Sequence, residues 1–187
     1  MVRGRREHLV DTALELFSKE GYHATGIDRI LAEAGVAKMT LYNHFKSKDE
    51  LILAALRRRD ERFRNWFMRA VERRGETPRE RLLAVFDTLG EWFDSPSFSG
   101  CSFINASAEY GSPDDPIHGA CAEHQHLVLG YLVELARAVG AKDPDGLAES
   151  LMLLMEGAIV LRHVAGRRNA AKKARAAAQI LVAQALG

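Results

Sequence analysis

The sequence is short of the residues that build sheets, staples and membrane spans. Val, Ile and Thr together number 23 in 187 residues, against 49 for Ala and Leu. No segment alternates apolar and polar residues for long enough to make a strand, so a β-rich fold is excluded and an all-α one is expected. Two cysteines, Cys101 and Cys121, are too few for a disulfide framework and read as reduced thiols. The longest apolar stretch, Leu151 to Leu161, is broken by Glu156 and falls well short of the roughly 20 residues that a membrane span needs. The opening residues turn acidic at Glu7 and Asp11 before an export-type apolar run develops, so a cytoplasmic protein is expected. Neither sign of charge prevails. The 26 Lys and Arg against 25 Asp and Glu leave +1, which excludes a histone-like basic coat.

The charges that are present are sorted along the chain. Residues 1–74 carry a net +5, residues 76–156 a net −10 and residues 157–187 a net +6, a segregation that points to regions with different roles. Helix signals run throughout. Leu9, Ala13, Leu16 and Phe17 fall at helical spacing, and Gly21 suits the residue after a helix end. Ile27, Ile30, Leu31 and Ala34 form a second stripe, closed by Gly35. Ser47-Lys-Asp-Glu50 and Thr77-Pro-Arg-Glu80 fit capping boxes, the first opening a helix of about 48–73 and the second placing Pro78 where its missing N–H is harmless. Further helices are expected at about 100–110, from Ile117 to Val139, from Pro144 through Leu161, and at about 168–186. The expected fold is all-α with about nine helices.

Three short helices with glycine-bearing turns open the chain, and Glu33-Ala-Gly-Val-Ala37 joins the second to the third as a helix-turn-helix requires. The third, over 38–45, turns Leu41 and Phe45 inward and leaves Lys38, Met39, Thr40, Asn43 and His44 outward. The string Thr40-Leu-Tyr-Asn-His-Phe-Lys-Ser-Lys-Asp-Glu-Leu51, with Ala24-Thr25 and Ile30-Leu-Ala-Glu-Ala-Gly-Val36 upstream, resembles the signature of TetR-type transcriptional regulators. The resemblance covers about residues 4–64. It implies a helix-turn-helix domain over 1–50, with the motif at about 26–45, and a ligand-binding and dimerisation domain over 51–187. It also implies a homodimer that sets residues 38–44 into consecutive major grooves of a palindromic operator and releases it when a small molecule binds. Thr40, Tyr42, His44 and Lys48 suit phosphate oxygens. Lys38, Met39 and Asn43 suit base edges: Asn pairs with adenine, Lys reaches guanine and Met packs on a thymine methyl. Arg3, Arg5 and Arg6 could form a basic arm. Each has an alternative: Tyr42 packs on the first helix, with one side chain able to do both, His44 is a solvated surface histidine, and Thr25 is a helix cap that meets phosphate only if that helix end approaches DNA. The family usually has a hydroxyl residue where this chain has Ala37.

The second half is less distinctive. Gly100-Cys-Ser-Phe-Ile-Asn-Ala-Ser-Ala-Glu-Tyr110 looks similar to one branch of TetR C-terminal domains. Phe63, Phe67, Phe86, Phe103, Met152 and Met155 either form an ordinary helical core or line a cavity for an apolar or aromatic effector. Asn105, Glu109, His124, His126 and Glu156 are the polar candidates for the same cavity, and Glu156 must either face solvent or meet a partner such as His163 or a cationic ligand. His118, Cys121 and His124, with Asp114, are too loosely spaced for a zinc site, and no cofactor is expected. The last two helices are expected to pair two chains through Gly157, Ala158 and Ala165 on the eighth, and Ala174, Ala177, Ala178, Leu181 and Ala185 on the ninth. Two other readings are a DNA-binding regulator that needs no ligand and a helical enzyme. No nucleophile–base pair or phosphate loop supports the latter.

Overall fold

The structure, a computed structural model, describes residues 4–187. Among them are nine helices and no strand. In chain order they are α1 (Arg5–Glu20), α2 (Ile27–Ala34), α3 (Lys38–Tyr42), α4 (Lys48–Arg74), α5 (Pro78–Phe93), α6 (Ser102–Glu109), α7 (Pro116–Ala138), α8 (Pro144–Ala165) and α9 (Ala170–Leu186). The boundaries follow local chemistry. Thr77 accepts from the Glu80 amide at 3.3 Å while the Glu80 carboxylate takes the Thr77 amide at 2.9 Å, so the capping box at α5 is complete in both directions. At α4 the box is shifted by one residue: Ser47 Oγ accepts from the Glu50 amide, but the Glu50 carboxylate reaches the Lys46 amide at 2.7 Å. Asp143 caps α8 by accepting from the Gly146 amide. Gly35, at φ 63°, closes α2 in the left-handed region where a side chain would be strained.

Two expectations about the N-terminal helices need correction. The third helix is five residues long, not eight. Its exit tightens as the His44 amide turns to the Leu41 carbonyl, and the Phe45 amide bonds the same carbonyl. Arg5 and Arg6 belong to the first turn of α1 instead of an arm, with the Arg6 guanidinium 5.0 Å from the Phe45 ring centroid. Arg3 lies outside the described residues.

Contacts divide the chain into two compact units. The first runs to Arg62 and takes in Cys101–His124, so α6 and the beginning of α7 pack with α1–α3 and the start of α4. Its core holds Leu9, Phe17, Tyr22, Ile30, Leu41, Phe45, Ile52 and Leu56. On its α1–α4 side, buried Asp11 accepts from Arg58 Nε at 3.0 Å and lies 2.9 Å from Arg62 Nη1. The second unit, Phe63–Gly100 with Gln125–Gly187, packs α5, α8 and α9 around Val71, Leu82, Phe86, Leu89, Leu151, Ala178 and Val182. No described helix is long and apolar enough to cross a membrane.

Candidate nucleic-acid interface

Leu41 on the short α3 and Phe45 just past its end anchor this element, which presents the rest. Leu41 and Phe45 are buried at i and i+4, while Met39 is 70% exposed and Tyr42 46% exposed. Lys38, Asn43 and His44 are exposed as well, and Thr40 is half-buried. A five-residue helix held at one face and bare at the other can lay its bare face against a flat or grooved partner. Lys38 lies 4.0 Å from the Asp28 carboxylate with both side chains largely exposed, a pairing weak enough to leave the ammonium available. Ala37 stands at the N-cap of α3 and offers no side-chain acceptor. Tyr42 is about half exposed, which is compatible with both of its expected roles at once.

Two other expected contacts are held differently. Thr25 is fully buried, and its hydroxyl donates to the Gly21 carbonyl at 2.6 Å. A side chain sealed inside the turn between α1 and α2 cannot offer that hydroxyl to a phosphate, which removes Thr25 from the contact surface. Lys48 Nζ donates to the His23 carbonyl at 3.1 Å, joining the start of α4 to the same turn with one of its three N–H donors and leaving two for another acceptor.

The expected effector residues fall into two groups. In the first unit, Phe103 and His124 stack face to face, with ring centroids 3.7 Å apart. His124 is 5% exposed and its Nδ1 lies 2.7 Å from Asp60 Oδ1. With Leu56, Arg57, Asp60, Ala120 and Glu123 they line a cavity of about 160 Å³. Asp60 escaped the sequence reading because it sits in a run of charges that looks like a solvated helix face. Asn105 is half-buried on α6. Glu109 turns its carboxylate to the Tyr22 and His23 amides, not into a cavity. His118 bonds the Tyr110 carbonyl. Among the described residues no three His, Cys, Asp or Glu side chains converge on a metal position.

In the second unit Phe63 stacks on Phe67 at 5.5 Å and tilts against Trp92 at 4.9 Å. Phe86 and Met155 are buried, and Met152 is half-buried. Glu156 meets Gln125, not His163, whose ring packs instead against Gly100 and Phe98. Burial pushes the Glu156 carboxyl above the usual carboxylate range, and the hydrogen bond with Gln125 only partly offsets it. Its Oε2 is buried without a hydrogen-bond partner.

The small residues expected to pair two chains are in part used within one. Ala158, Ala174 and Ala178 are buried in the second unit. What α8 exposes is a stripe of larger side chains, Leu153, Val160, Leu161 and Val164, and α9 exposes Ile180 in a groove with Ala176 and Ala183.

Residues 9–55 match the family model described as bacterial regulatory proteins, tetR family, and residues 78–178 match the tetracyclin repressor-like C-terminal domain. The crystal structure of a TetR-family transcriptional regulator from Streptomyces coelicolor superposes with a TM-score of 0.90 at 33% identity, covering 98% of this chain and 96% of that one. The HTH-type transcriptional repressor NemR of Escherichia coli K12 is 30% identical over 128 residues, 68% of this chain and 64% of its own length. The HTH-type transcriptional regulator YjdC of the same strain is 24% identical over 155 residues, 83% of this chain and 81% of its own length.

Proposed function

The chain belongs to the TetR family of transcriptional regulators, and from that membership we propose that it is a homodimeric repressor that leaves its operator when a small apolar or aromatic molecule binds. It is a DNA-binding regulator and not an enzyme. The observation that carries the DNA contact is the bare face of α3. Lys38, Met39, Tyr42, Asn43 and His44 are exposed on α3 and the turn that follows it, where Leu41 and Phe45 are buried. In this reading Lys38, Met39 and Asn43 read base edges, and Thr40, Tyr42, His44 and Lys48 fix register on phosphates. The first 50 residues form the reading domain, and residues 51–187 pair the two copies and take the effector. Exposed Leu153, Val160, Leu161 and Val164 on α8 and Ile180 on α9 support the pairing, since an apolar stripe of this kind on a water-facing helix marks a contact surface. Effector binding would change the separation of the two reading helices, and a shift of a few ångströms loses base contacts on one half-site.

Selection of random DNA by the purified protein, followed by sequencing, tests this. A palindrome with half-sites about one or more helical turns apart is expected; no enriched sequence would refute it. On that operator, Tyr42→Ala should weaken binding to all sequences alike. Asn43→Ala should cost about 1–3 kcal/mol only where the preferred base is present, read by anisotropy titration of matched and mismatched sites.

A further inference from the structure

Glu109 ends α6, a helix that lies some 60 residues beyond the recognition element and yet packs in the same compact unit. Its carboxylate accepts from two backbone amides, Tyr22 at 2.9 Å and His23 at 2.6 Å. Its carbonyl oxygen lies 3.1 Å from His23 Nε2, and the His23 ring packs against Tyr110 with centroids 4.6 Å apart. At the other end of α6 the buried Tyr22 hydroxyl donates to the Ser102 carbonyl at 3.1 Å. The approach is close: Gly21 adopts φ 88°, and a Cβ there would stand 3.3 Å from Glu109 Oε1.

These contacts all converge on the turn between α1 and α2. The Tyr22 and His23 amides lie beyond the end of α1 and before α2, where no helical ladder supplies acceptors, so a carboxylate supplies them with charge-assisted bonds. Helix α2 starts only four residues later, buries Ile30, Leu31 and Ala34, and packs on α3. Thr25 and Lys48 bond the same turn, at the Gly21 and His23 carbonyls. The direction in which α2 leaves this turn therefore sets where the bare face of α3 stands relative to α1 and α4.

We propose that Glu109 is a positioning residue for DNA recognition: by holding the Gly21–His23 turn, α6 serves as a working part of the reading unit and keeps Met39 and Asn43 in register with base edges. The inference rests on the DNA-reading role of α3. A glutamine at 109 offers one acceptor oxygen where two are needed and turns an N–H toward the second amide, so the turn is released without loss of side-chain volume.

The test compares wild type, Glu109→Gln, Glu109→Asp and Tyr22→Phe on the selected operator and on unrelated DNA. Asp143→Ala, which removes the α8 cap in the other unit, controls for general loss of stability. Glu109→Gln is expected to lower the ratio of operator to unrelated-DNA affinity about tenfold, because register contributes to base contacts far more than to bulk phosphate attraction. Glu109→Asp, which keeps two acceptor oxygens, should recover part of the ratio. Amide hydrogen exchange over residues 21–45 should quicken in Glu109→Gln while α8 and α9 stay unchanged. An unmoved ratio, or one that falls no further than in Asp143→Ala at equal Tm, overturns the role. If Glu109→Gln does not fold, Glu109→Asp decides: its shorter side chain draws the carboxylate back from the Tyr22 and His23 amides, and a ratio unmoved from wild type there overturns the proposal equally, while Tyr22→Phe reads the separate contribution of the Ser102 bond. Failure of the wild-type protein to enrich any sequence would instead overturn the DNA reading, before any variant is made.

Discussion

Two carboxyl groups, Asp11 and Glu156, feel burial and answer it in opposite ways. For Asp11 burial alone would raise the pKa, but hydrogen bonds and charge from Arg62 and Arg58 outweigh it and hold the group below its ordinary 3.8. A carboxyl depressed on folding stabilises the fold above its unfolded pKa, and that contribution is lost as pH falls through the lower folded value. Asp11→Ala is expected to cost roughly 2 kcal/mol at pH 7, below the range for fully buried pairs because Arg62 is nearly half exposed. Urea unfolding at pH 7 and pH 3 should show the difference shrinking in acid. Glu156 is raised by burial, so its sign is reversed: the protonated form suits the fold, and stability falls as pH rises through the raised value. Glu156→Gln should therefore stabilise the protein by on the order of 1 kcal/mol at pH 8, with the gain vanishing near pH 4, as measured by Tm across that range.

At the scale of elements, what was legible in the sequence is what neighbouring residues decide. The glycines after α1, α2 and α8, the Thr77 box and the Leu41/Phe45 pair all act within four residues, and each lies where the spacing put it. The Glu109 bonds to Tyr22 and His23 span 87 and 86 residues, and the His124–Asp60 bond spans 64. No local pattern encodes such a partner, so Glu109 looked like a cavity residue and α6 like part of the C-terminal half. Thr25, expected as a helix cap, instead bonds back to the Gly21 carbonyl, and composition does not register which way a threonine turns. Ala37 is the element-scale weakness. With no acceptor at the N-cap, the first amides of α3 lack a side-chain partner. Ala37→Ser should stabilise α3 by about 1 kcal/mol and tighten operator binding, seen as slower hydrogen exchange over residues 38–45 and a lower Kd.

For the whole molecule, the near-zero net charge averages regions of unlike sign, and it limits how much DNA affinity can come from bulk attraction. The first 50 residues hold eight basic and eight acidic side chains, so binding depends on placed contacts and, in the proposed dimer, on two copies acting together. The proposed pairing surface is where that dependence can be cut. Leu153 is 75% exposed and Ile180 60% exposed in the single chain. Leu153→Glu with Ile180→Glu should yield a folded monomer by analytical ultracentrifugation and weaken operator binding by more than a hundredfold, since each half-site would then be held alone.

The two thiols bear on how such changes can be observed. Cys101 and Cys121 are both buried, and burial pushes the Cys121 thiol up to about 11, so it carries little thiolate at neutral pH. A maleimide or nitroxide reagent added to the native protein therefore meets a chain that is chemically quiet. Placing a single thiol at an open position of the recognition element, Met39→Cys, gives one selective label per copy without removing either native cysteine. A pair of such labels across the dimer turns the separation of the reading helices into a distance that electron-spin resonance reads directly.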